Sequence, residues 1–169
     1  MFVRMAVRDV LFLLAGTGLW RIAAPWSAGD GMRADLAGVA LGAWIGLGGY
    51  LLHEWGHLAG ALATRSHVEA PTRLTSGFLF SFDSRRNTLR QFLVMSFSGF
   101  AATAAVVWAF YAFLPDGLLA SRVARGIVVF GAVLTVVIEL PLVGYALLGR
   151  GLPPVENGIH TARAAADGT

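Results

Sequence analysis

His53, Glu54 and His57 stand as H-E-x-x-H in the run LLHEWGHLAGALAT, with no other charged side chain nearby. On a helix, positions i and i+4 share a face, so both imidazoles can point at one ion. Glu54, beside the first histidine, can then take a proton from a water held at that ion. In an apolar helix two histidines and a glutamate without a role would be costly. A lone histidine there can bond a neighbouring carbonyl, but this trio would need several such partners at once. The spacing therefore reads as a metal site. The chain has no cysteine, so any ligand set must use histidine, carboxylate or water. Two imidazoles, one carboxylate and an open position describe a catalytic zinc site, with one Zn2+ per chain and Glu54 as general base.

The third ligand has to come from elsewhere. Glu139 is the strongest candidate, because it is the only acidic residue between Asp116 and Glu156. His57 lies 8 residues before Arg65, His53 lies 12 before it, and Glu139 lies 11 before Arg150. At a rise of about 1.5 Å per residue these groups come to a similar depth. Pro141 removes a helical hydrogen bond and is expected to kink or open the helix beside it. Glu156, after Pro153 and Pro154, is the rival and would need the tail to fold back. His67, Glu69, Asp83 and His160 read as loop or tail residues.

The elements that must position these groups are membrane segments. Of 169 residues 56% are hydrophobic and 14% are charged, against roughly 25% charged in soluble domains; mean hydropathy is +0.66. The predicted fold class is an all-α polytopic membrane protein, a single domain embedded in a lipid bilayer. It has three core transmembrane helices and an N-terminal hydrophobic segment. Residues 1–35 are that segment and a connector, 36–150 the core, and 151–169 a polar tail.

The apolar run of residues 10–20 is short for a span; it is expected as a retained membrane helix that Arg21 extends by snorkelling, rather than a cleaved signal. Residues 36–64 form the second segment, with Gly38, Gly42 and Gly46 as a packing stripe. Residues 65–90 form a polar loop with five arginines. Within it residues 76–83, rich in phenylalanine, suggest short strands or a hairpin near the membrane surface. Residues 91–114 and 126–149 are the third and fourth spans.

All 13 cationic residues are arginine, giving a formal charge of +3. Lying between apolar runs, they speak for membrane orientation and not for nucleic-acid binding. With four spans, nine arginines fall on the side of the 65–90 loop and four on the other, which predicts that the loop, and with it the site, faces the cytoplasm.

These residues resemble the site-2 protease family of intramembrane zinc metalloproteases. HEWGHLAGALATRSHVE is similar to the family's first core helix and the turn that follows it; SFSGFAATAA resembles the small-residue second core helix. IELP, residues 138–141, falls where the third occurs. The family usually supplies an aspartate from N-x-x-P-x-x-x-x-D-G, which is lacking here: counted from Pro141, that position holds Ala146. The resemblance implies hydrolysis of peptide bonds in membrane-protein substrates. Two other classes fit the same residues: a non-enzymatic metal-binding membrane scaffold, which would not need Glu54, and a small transporter with a His/Glu proton relay.

Overall fold

The structure, a computed structural model, describes residues 1–153. It is mostly helical. Helix α1 is Phe2–Ala23, α2 is Met32–Ala63, α3 is Leu89–Phe113 and α4 is Leu119–Leu147. The last three are long and apolar enough to cross a membrane. A pair of two-residue strands, β1 (Val68–Glu69) and β2 (Ser81–Phe82), lies between α2 and α3.

Local chemistry sets the ends of these helices. The last turn of α2 closes on Arg65, whose φ of 54° is left-handed, with the Ser66 N–H donating to Ala61 O. At the start of α3, Thr88 and Gln91 form a reciprocal capping box. Leu114, Pro115 and Gly117, the last at φ 89°, turn the chain into α4. Arg125 reaches back from α4 to the carbonyls of Phe110 and Leu114 and to Asp116, so it caps the end of α3.

Helix α2 is the centre of the bundle, and glycine lets both partners approach it. A Cβ at Gly42 would stand 2.5 Å from Ala120 O, and one at Gly46 would stand 2.8 Å from Ile127, both on α4. Farther along, a Cβ at Gly56 would stand 2.5 Å from Ala102, on α3. The small-residue stripe is thus a packing device, as expected, and serves α4 and α3 in turn. Helix α1 runs antiparallel along α2: Met5 packs near Leu58, Phe12 stacks on Trp44 and Ala24 meets Leu41. Apolar side chains such as Val136, Val137 and Leu147 face outward on α4, a surface suited to lipid.

Three expectations are corrected. Helix α4 begins at Leu119, seven residues before the expected 126, so Arg122 and Arg125 are helical; Arg125 is tolerated there because its head reaches the carbonyls and Asp116 just described. The N-terminal helix runs from Phe2, well ahead of residue 10, and so takes Arg4, Arg8 and Asp9 into its first turns. Of the strands expected within residues 76–83 one is found, Ser81–Phe82, but it forms no hairpin within that stretch: it pairs antiparallel with Val68–Glu69, matching Val68 to Phe82. Leu79, Phe80, Ser81 and Phe82 are buried, in a cluster with Leu58, Phe92 and Val143, while Gly77 and Phe78 are exposed.

Near Pro141 the helix opens rather than breaks. Residues Thr135–Glu139 form a π turn, closed by the Leu140 N–H donating to Thr135 O. Proline offers no N–H for a regular bond, and the wider turn absorbs the mismatch directly before it. The opened turn carries Glu139.

Candidate metal centre

His53 and His57 sit four residues apart on the inner face of α2, each less than a tenth exposed. Across from them α3 offers a matching ladder. His57 Nδ1 lies 3.0 Å from Met95 O, and His53 Nδ1 lies 2.7 Å from Thr103 Oγ1 and 3.3 Å from Gly99 O. Residues 95, 99 and 103 repeat every four positions, so they share a face of α3. Carbonyls only accept, so the hydrogen-bond network assigns the proton of each neutral imidazole to Nδ1. Each Nε2 is left with a lone pair.

Those lone pairs converge. His53 Nε2 and His57 Nε2 lie 3.1 Å apart. Glu139 Oε1 is 3.2 Å from the first and Oε2 is 3.1 Å from the second. Two imidazole lone pairs and a carboxylate, with no donor among them, repel one another unless a proton or a metal cation is shared between them. Ligand bonds of about 2.0–2.2 Å in a tetrahedral arrangement set ligand atoms roughly 3.3 Å apart. The observed separations fit that arrangement, so the donor set suits a metal ion. Among the described residues this is the one such group of three.

Each expected residue can now be placed. Glu139, chosen from depth and isolation, lies level with both histidines. Glu54 is buried beside them and lines the same cavity, and its Oε2 accepts from the Leu79 N–H at 3.3 Å. His67, Glu69 and Asp83 are away from the cluster, Glu69 in β1 and the other two in the loop. Glu156 and His160 lie outside the described residues.

Five contributions could not be read from the motif alone. Thr103 and the Met95 carbonyl orient the imidazoles. Gly99 makes room for His57, because a Cβ there would overlap the imidazole ring. Leu79 supplies its amide to Glu54, and Tyr50, one turn before His53, donates its hydroxyl to Gly77 O at 2.9 Å. The usable signal for the α3 partners was the spacing of four that mirrors His53 and His57.

The cavity at the site measures about 610 Å³. Its floor is the His/His/Glu cluster; its walls are mainly apolar, from Val106 on α3, Val128 and Leu142 on α4, and Phe78 and Phe80 of the loop. It joins a polar cluster to an apolar space, a lining suited to a largely apolar ligand. No protein-family model, curated protein or solved structure matches the chain.

Proposed function

We propose that this chain is an intramembrane zinc metalloprotease of the site-2 protease type, hydrolysing peptide bonds of membrane-protein substrates. The observation that carries the reading is the convergence of His53 Nε2, His57 Nε2 and the Glu139 carboxylate beside a buried Glu54, among apolar helices. His53, His57 and Glu139 would hold the ion. Zinc, when bound, lowers the pKa of a coordinated water toward neutrality and polarises a carbonyl.

The remaining work falls to the chain. Thr103, Gly99 and Met95 fix the rings so that each Nε2 faces inward. Glu54 accepts a proton from the water that attacks the peptide carbonyl and returns it to the leaving nitrogen. The cavity walls receive apolar side chains flanking the scissile bond, and the polar loop side admits the water that hydrolysis consumes. The arginine distribution orients that side, and the site, toward the cytoplasm of a bacterial-type membrane.

The deciding experiment compares the wild-type chain with Glu54→Gln in membranes. Stoichiometric zinc in both, with cleavage of a test membrane substrate by the wild type alone, is the expected result. A metal-binding scaffold would behave identically in the two proteins. A proton-coupled transporter would show ion flux and no cleavage.

A further inference from the structure

An ion pair at the N-terminal end of α1, its carboxylate buried and its guanidinium partly exposed, has no part in the His/His/Glu cluster, yet it is tied to it. Asp9 is 1% exposed. Its Oδ2 accepts from Trp55 Nε1 at 2.9 Å, and Trp55 is the residue that follows Glu54. Its Oδ1 accepts from Arg8 Nε at 2.7 Å. The Arg8 guanidinium then donates to the carbonyls of Leu74 and, at 3.0 Å, Ser76. The same segment is held twice more from α2: Tyr50 donates to Gly77 O, and Glu54 accepts from the Leu79 N–H. A continuous path of hydrogen bonds therefore runs from Trp55 through Asp9 and Arg8 into residues 74–79, and back to α2 at Tyr50 and Glu54.

Burying the carboxylate of such a pair is a poor route to stability, because its desolvation cost rivals the attraction. The packing of α1 on α2 has no need of one, since Met5, Phe12 and Gly16 meet α2 or its neighbours through apolar and aromatic contacts. What the pair does supply is a charged fork that reaches two carbonyls of one short segment. Both oxygens of Asp9 have donors, so the fork is aimed as well as charged.

We propose that Arg8 and Asp9 are positioning residues for Glu54: they clamp residues 74–79 over the site, and the clamped Leu79 amide sets the orientation of the Glu54 carboxylate. The positioning role rests on the protease reading; the clamp itself does not. A general base acts efficiently only within hydrogen-bond reach of its proton, so a loosened segment lowers turnover without removing a ligand.

The test uses the purified full-length chain in detergent, loaded with zinc. In Arg8→Ala, amide hydrogen exchange of residues 74–80 is expected to quicken about tenfold, while residues 92–106 of α3 keep the wild-type rate. Zinc stays stoichiometric, kcat for a membrane substrate falls about tenfold with KM little changed, and Arg8→Lys recovers part of the loss. Asp9→Asn should behave like Arg8→Ala. If Asp9→Asn instead quickens exchange throughout, that variant has unfolded and Arg8→Ala decides, its side chain being partly exposed and its loss local. Unaltered exchange at 74–80 in Arg8→Ala overturns the clamp. Faster exchange with unchanged kcat overturns the positioning role and leaves the protease reading standing. Faster local exchange in a chain whose wild type cleaves nothing supports the clamp and removes the protease reading.

Discussion

Gly99 lies directly under the imidazole of His57, and the ring occupies the space where any other residue would carry its Cβ. The contact joins α3 to the metal ligand without a polar group. Ring and backbone are close enough that the ligand's place is set by the absence of a side chain.

Gly99→Ala is therefore expected to push His57 aside or to force α3 away from α2. Zinc affinity should fall by about 100-fold or more, with the helical content kept. Competition with a chromophoric chelator measures the affinity, and circular dichroism the helix. Wild-type affinity would show that the ring has another place to go.

Glu139→Ala should abolish stoichiometric zinc, and Glu156→Ala should leave it unchanged. Metal content after dialysis against a weak chelator distinguishes them. The reverse pattern would move the third ligand to the tail. In the wild type, a strong chelator should stop cleavage and zinc should restore it.

Thr103→Val removes the hydroxyl beside His53 Nδ1 while keeping the side chain's shape. Such orienting partners are worth roughly 10–100-fold in metal affinity, and Thr103→Val should lose an amount in that range. Thr103→Ser should lose less, because the hydroxyl remains. Equal losses in the two would assign the role to the methyl group and to packing.

Gly42→Val should destabilise the bundle by about 2 kcal/mol or more, since the new Cβ meets Ala120 O, a backbone atom that cannot rotate away. Gly18→Ala is the control: nothing lies within 4 Å of its Cβ position, and alanine favours the helix. Thermal unfolding in detergent should separate the two variants clearly. A Gly42→Val midpoint equal to that of the control would refute close packing of α2 on α4.

Orientation can be tested at Arg73, an exposed loop residue. The chain has no native cysteine, so Arg73→Cys is a unique label site. A membrane-impermeant thiol reagent should reach it only in inverted vesicles. Labelling in intact cells would place the loop, and the site with it, on the opposite side.

The parts of the site that could be read from sequence are those where a long apolar run makes a polar group expensive. His53, Glu54 and His57 were legible from a spacing of one helical turn, and Glu139 from its isolation in an apolar span. Thr103 and Gly99 were not, because small and hydroxyl residues in such a helix ordinarily serve packing. Asp9 is hidden by its neighbours: it stands in sequence among Arg4 and Arg8, and only the fold brings it to Trp55. The pairing and packing of the phenylalanine segment were hidden for a related reason. Composition shows that it is apolar, but not that its apolar groups fill the space between α2, α3 and α4.

The four groups that hold residues 74–79 are three carbonyls and one amide, at Leu74, Ser76, Gly77 and Leu79. Every residue type except proline carries both, so the hold is indifferent to which side chains the segment bears. Phe78 lines the cavity and is nearly half exposed; it can be exchanged for a smaller or more polar residue while the segment keeps its path. Under the protease function proposed above, the choice of substrate and the integrity of the site would thereby be under separate control, and selectivity could drift or be redesigned at Phe78 while the His53, His57 and Glu139 cluster stays intact.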